Sequence, residues 1–151
     1  GTEEYTKKIM NFSATTSSEK TQESLEDGLE KIKGKSVLGG QNGKKLIIFI
    51  DDINMPEPTK HGSHPPIELL RQLIDNKYYF DRPKFFKKHI EDYVMIACGG
   101  RPIGGRSKLT DRFNRQFAIV NFPQPNKIIL LGIYETILRS FFLKNRFIES
   151  V

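Results

Sequence analysis

The chain has 151 residues, 37% hydrophobic and 28% charged, with 24 basic and 18 acidic side chains and a net charge of +6. That is one domain's worth of sequence, long enough to bury a core and too apolar for a disordered chain, and no apolar run approaches the length of a bilayer span. A single cysteine, Cys98, excludes an intrachain disulfide and fits a reducing compartment. Gly1–Lys8 is polar and has no signal-like apolar segment. The basic excess would suit an acidic partner, but only Lys84, Lys87 and Lys88 cluster, which reads as a solvated surface.

In chain order, Lys8–Ser13 is the first strand. Thr16-Ser17-Ser18-Glu19 has capping-box spacing, in which hydroxyl and carboxylate each satisfy a free backbone N–H. Leu25, Leu29 and Ile32 continue at i, i+4, i+7, so the pattern predicts a helix with one narrow apolar stripe. That helix carries Gly28 internally, at about 1 kcal/mol relative to Ala, and stops at Gly34. A turn-rich loop, Ser36–Gly43, leads into Lys44–Ile50, whose five consecutive apolar residues predict a strand buried on both faces. Asp51 and Asp52 follow directly. Two acids at the carboxyl end of such a strand lie where open α/β sheets bind ligands. They have the form of a Walker B element, in which the first acid holds Mg²⁺ through water and the second polarises an attacking water. The same residues also suit a plain Asp-Asp-Ile-Asn turn, since Asp and Asn favour turns unaided.

Pro56, Pro58 and Gly62 mark a loop, and Pro65-Pro66 open a helix with Ile67, Leu70, Leu73 and Ile74 on its buried face. His61 and His64 have no Cys or third His nearby and read as loop residues. Tyr78–Phe86 is rich in aromatics around an Asp81-Arg82-Pro83 turn. Interleaved aromatics and lysines can bind single-stranded nucleic acid, but core filling is the ordinary use. Tyr93–Cys98 is another buried strand, followed by Gly99–Arg106 (GGRPIGGR). This is not a P-loop, because GxxxxGK[ST] occurs nowhere in the chain. In Thr110–Gln116, Arg112 and Arg115 stand three apart on one helical turn. Phe117–Phe122 is the last predicted strand, ended by Pro123 and Pro125. Leu130, Tyr134, Ile137, Leu138 and Phe141 then line a helix of about four turns. Four strands separated by helical patterns imply an α/β fold with a mainly parallel sheet.

Four segments together carry a family likeness: Asn11–Glu26 (NFSATTSSEKTQESLE), Ile47–Pro56 (IIFIDDINMP), Lys60–Asp75 (KHGSHPPIELLRQLID) and Ala97–Phe117 (ACGGRPIGGRSKLTDRFNRQF). In register over about residues 8–145, the chain resembles the third AAA+ module of dynein heavy chains, axonemal ones in particular. The resemblance implies a three-layer P-loop NTPase core with sheet order 5-1-4-3-2. The P-loop strand, central in that order, is not represented, so a gap is expected between Tyr93–Cys98 and Phe117–Phe122. Residues 1–122 would then be a partial large α/β subdomain, and 123–151 the linker and first helix of the small lid. Asp51 matches the Mg²⁺-associated acid. Asp52 stands where a catalytic Glu is common, one methylene shorter; a water displaced by about 1 Å can lose about a hundredfold in rate. The sensor position after the fourth strand falls near Gly99, a nucleotide-site residue without a polar side chain. Arg112 looks like the arginine finger, with Arg115 the alternative, acting on the γ-phosphate of a neighbouring module. A surface ion pair is the other reading of each arginine.

The implied parent is an ATP-driven microtubule motor of cytoplasm and cytoskeleton, in the axoneme of a cilium or flagellum. Its third module would bind ATP or ADP with Mg²⁺ in a regulatory role and hydrolyse slowly. The 151 residues alone would bind ATP poorly and be inactive, and their open sheet edges would favour self-association. Expected partners are neighbouring AAA+ modules, microtubules and other dynein chains, with no membrane and no nucleic acid. Another AAA+ remodelling ATPase, or a non-enzymatic basic α/β binding module with an accidental Asp-Asp, are the alternatives.

Overall fold

A computed structural model describes residues 4–32 and 37–144; Gly34 and Ser36, expected as helix stop and loop start, lie outside them. The chain divides into two compact units, Gly1–Phe117 and Ala118–Val151.

The first unit is built on three parallel strands, β1 (Tyr5–Asn11), β4 (Lys45–Asp51) and β7 (Tyr93–Ala97), in the order β1-β4-β7. Their register aligns Ile9, Phe49 and Ile96 across the sheet and sets Asn11 beside Asp51. This is an α/β fold with a parallel three-strand sheet, as the strand and helix patterns predict. Helix α1 (Ser18–Glu26) and helix α2 (Pro65–Asn76) follow β1 and β4. Their apolar residues Leu25, Ile67, Leu70 and Leu73 share one core with Leu46, Ile48 and Ile50 of β4. The prediction that this strand is buried on both faces is corrected. Leu46, Ile48 and Ile50 are buried, but the alternate residues lie on a face where Ile9 is 54%, Val94 56% and Ile96 48% exposed. Both helices cover the same face, and among the described residues of this unit no helix covers the other.

Two details near α1 also differ from expectation. Ser17 caps the helix, its Oγ accepting from the Lys20 backbone N–H at 3.2 Å, while the Thr16 hydroxyl accepts from the Ser13 N–H at 2.8 Å. Thr16 therefore closes the preceding turn and Ser17 takes the capping place. The helix also stops at Glu26, because Gly28 adopts φ +82, a conformation glycine takes freely. Leu29 and Ile32 thus leave the helical stripe and flank β2 (Glu30–Lys31), which pairs antiparallel with β3 (Val37–Gly39).

A second sheet, not foreseen from the sequence, runs β2-β3-β6-β5, with β5 (Tyr78–Phe80) and β6 (Lys87–Ile90) forming a hairpin. Asp81-Arg82-Pro83 is its turn, as expected; Asp81 Oδ1 accepts from the Lys84 N–H at 2.9 Å. Only Tyr79 of the aromatic stretch fills the core, whereas Phe80, Phe85 and Phe86 are exposed. The Tyr79 hydroxyl donates to Glu26 at 2.8 Å, and Lys88 bridges Glu26 and Asp81 at 2.7 and 2.5 Å, tying the hairpin to α1. The hydrogen bond from Lys88 holds the Asp81 carboxyl below the usual carboxylate range. Lys88 is thereby ion-paired with two carboxylates, and Lys87 lies over the Tyr78 ring, so these two lysines of the cluster are engaged within the fold.

In the second unit, α4 (Lys127–Lys144) has exposed apolar side chains beyond the predicted stripe, Ile128, Ile129 and Leu131 among them, while Glu135, Thr136, Arg139 and Ser140 group on one side. Phe117–Phe122 is not the predicted strand. The segment has no ladder partner among the described residues, and Ile119, Val120 and Phe122 are exposed.

Leu70→Ala, which empties a fully buried site, is expected to cost about 2–5 kcal/mol in urea denaturation. Ile9→Ala on the open face should cost less than about 1 kcal/mol. Equal losses at the two positions would contradict a one-sided core.

Candidate functional site

The backbone of β4 is bonded on both sides, and the ladder continues past its end: the Cys98 N–H donates to the Ile50 carbonyl and the Ile53 N–H to the Cys98 carbonyl, each at 2.9 Å. Asp51 and Asp52 are therefore carried on a fixed backbone at the carboxyl ends of three parallel strands. Asp52 has φ +51, an unusual conformation for a side-chain-bearing residue. This turns the two neighbouring carboxylates onto different partners. Asp51 Oδ1 accepts from the Asp52 backbone N–H at 2.9 Å and from the Cys98 thiol at 2.8 Å. Partial burial, reinforced by the bond to Asp51, pushes the Cys98 thiol up, so it stays protonated and able to donate. Asp52 Oδ1 accepts from Arg106 Nη2 at 3.0 Å.

Behind the acids, Asn54 is buried, with 5% exposure. Its Nδ2 donates to the Gly100 carbonyl at 2.8 Å and the Ser107 carbonyl at 3.3 Å, and its backbone carbonyl accepts from the Ser107 N–H at 2.8 Å. The side chain thus clamps both ends of the Gly-rich loop to the turn after β4. Gly99 is required by this contact, because a Cβ there would lie 2.9 Å from Asn54 Oδ1. Gly100 is likewise filled by Arg106, whose Nε would sit 2.7 Å from an added Cβ.

The structure brings Asp51, Asp52 and Gly99 together. Arg112 and Arg115 sit at a different feature, α3 (Asp111–Asn114) and its C-terminal cap. Phe113 between them is buried and packs on Phe117 with ring centroids 5.1 Å apart, which anchors the turn and leaves both arginines exposed. Neither makes an ion pair among the described residues, so the surface-pair reading finds no partner there. Three residues of the site escaped the sequence reading. Asn54 looked like part of a turn, Cys98 like strand filling, and Arg106 like the end of a glycine loop.

The donor set suits Mg²⁺. This cation takes one or two carboxylates and completes its shell with phosphate oxygens and water. Asp51 and Asp52 each keep one oxygen outside the contacts described above. No third His, Cys, Asp or Glu joins them in a metal-binding group among the described residues. His64 is buried beside α2 and belongs to no such group.

Residues 1–125 match the family described as the P-loop containing dynein motor region. The chain is 44% identical to human dynein axonemal heavy chain 6 over 137 residues, covering 91% of this chain and 3% of that protein. It is 43% identical over 131 residues to the Chlamydomonas reinhardtii dynein-1-beta heavy chain of the flagellar inner arm I1 complex, covering 87% and 3%. Human dynein axonemal heavy chain 3 is 38% identical over 134 residues, covering 89% and 3%. The chain thus spans about 3% of the length of these curated relatives.

The Gly99–Asn54 contact makes a coupled pair. Gly99→Ala is expected to destabilise the chain by about 1–3 kcal/mol by overpacking, and Asn54→Ala by a similar amount through its lost hydrogen bonds. In the double variant the two losses should fall short of their sum by more than about 0.5 kcal/mol, as measured by urea denaturation. Strict additivity would contradict the clamp.

Proposed function

Because the chain belongs to the P-loop containing dynein motor family, we propose that it supplies the Walker B strand and arginine-bearing turn of a nucleotide site in the ring of an axonemal dynein heavy chain. The module is the third of that ring, and its role is regulatory nucleotide binding with slow hydrolysis. The observation that carries this is the pair Asp51–Asp52 at the carboxyl end of the middle strand of a parallel sheet, where open α/β sheets hold ligands.

In this proposal Asp51 holds Mg²⁺ through its water shell, oriented by the Asp52 N–H and the Cys98 thiol. Asp52 orients the attacking water, and its short side chain favours slow turnover. Gly99 lines the nucleotide, while Arg112, with Arg115 as the second candidate, reaches the phosphates of an adjoining module. Bound Mg-ATP supplies the phosphoryl group and the cation. No GxxxxGK[ST] lies within the 151 residues, so the phosphate-holding lysine comes from elsewhere in the heavy chain. The parent protein is an ATPase that moves on microtubules in a cilium or flagellum, with other dynein chains as partners. Residues 1–122 are the partial large subdomain of a three-layer core, and 123–151 lead into the lid. Expressed alone, the segment pairs through its open strand edges.

Calorimetric titration of the motor region carrying this segment should show Mg-ATP binding that weakens at least roughly tenfold in Asp51→Asn. The 151 residues alone should give no measurable binding. Unchanged affinity in Asp51→Asn, or tight binding by the short chain, would place the phosphate site elsewhere.

A further inference from the structure

The contact between Arg106 and Asp52 belongs to none of the roles assigned above. Arg106 is carried on the loop that Asn54 clamps at Gly100 and Ser107. Its Nε lies against the bare Cα of Gly100, buried and without a hydrogen-bond partner, while Nη2 reaches Asp52 Oδ1 at 3.0 Å. The side chain remains 35% exposed, so part of the guanidinium faces outward at the carboxyl end of the sheet. A guanidinium presents five donors in a planar fork suited to an oxyanion. That guanidinium donates to the Asp52 carboxylate.

We infer that Arg106 is a positioning residue for Asp52, and that the terminal phosphate of a nucleoside triphosphate competes with Asp52 for the same guanidinium. The inference rests on the nucleotide-site reading. If Asp52 orients the attacking water, its carboxylate stands next to the phosphoryl group under attack. A guanidinium 3.0 Å from that carboxylate is then within a small side-chain rotation of the same group. Without a terminal phosphate, Arg106 holds Asp52 aside. With one, the arginine turns to the anion, to which it offers paired N–H donors, and Asp52 is released toward the water. The polar group that Gly99 does not provide thus comes from Arg106, further along the same clamped loop. Two glycines make this geometry possible, since side chains at Gly99 and Gly100 would displace Asn54 and Arg106.

The test uses local hydrogen exchange in the full heavy chain, followed by mass spectrometry of peptides covering the Gly99–Ser107 loop, with Mg-ADP and with Mg and a non-hydrolysable ATP analogue. The analogue should slow exchange of this loop by roughly tenfold more than ADP does. In Arg106→Gln that difference should vanish while protection by ADP persists, and Arg106→Lys should restore part of it. Asp52→Asn removes the competitor, so the analogue's advantage should persist or grow, and this variant reads out the proposal even if Arg106→Gln folds poorly. Exchange of Leu46–Ile50 in β4 reports whether each variant keeps its fold. An undiminished difference in well-folded Arg106→Gln, or its loss in Asp52→Asn, would overturn the role of Arg106. Asp51→Asn separates the two levels. If it abolishes nucleotide protection while Arg106→Gln leaves the analogue's advantage intact, the site stands and the Arg106 proposal falls. If it leaves protection untouched, the nucleotide-site reading falls, and this proposal with it.

Discussion

The hydrogen-bonding of β4 on both edges is the constraint from which the site follows. A strand paired on one side can fray or shift register; one paired with β1 and β7 together cannot move without breaking two ladders. Leu46, Ile48 and Ile50 lock the register further, because a one-residue slip would carry all three out of the core. Asp51 and Asp52 inherit that rigidity. The ladder runs on through Cys98 and Ile53, so the acids emerge from backbone that is still bonded to its neighbour.

Around this fixed point the remaining contacts give the two carboxylates separate partners. The Asp52 N–H and the Cys98 thiol both donate to one oxygen of Asp51, and the other stays outside these contacts. Asp52 is turned by its left-handed backbone toward Arg106. Asn54 then ties the loop bearing Arg106 to the turn bearing the acids through hydrogen bonds at Gly100 and Ser107. Identical side chains in adjacent positions are turned to different partners by backbone conformation and hydrogen bonding alone.

Much of this was legible in the residues. The apolar run ending in Asp51-Asp52, the paired prolines opening α2 and the strand at Tyr93 all announced themselves, because burial and capping act locally. What escaped depended on distant partners. Leu29 and Ile32 kept helical spacing, yet Gly28 at φ +82 ended the helix and left them flanking β2, in a sheet with residues far along the chain. The strands of that sheet are two to four residues long, too short to display alternation. Phe117–Phe122 had a strand's composition but no ladder to join among the described residues. Asn54 and Arg106 are single residues inside turn-like runs, and only the fold shows that each reaches across to the other's loop.

The most direct measurement is the position of Mn²⁺, replacing Mg²⁺, by anomalous scattering in crystals of the motor region grown with a non-hydrolysable ATP analogue. A peak about 4 Å from an Asp51 oxygen, with one water between, is the expected result. It should be accompanied by Asp52 facing the terminal phosphate. Nucleotide and manganese bound with Asp51 and Asp52 both remote from them would contradict the assignment of β4 as the catalytic strand.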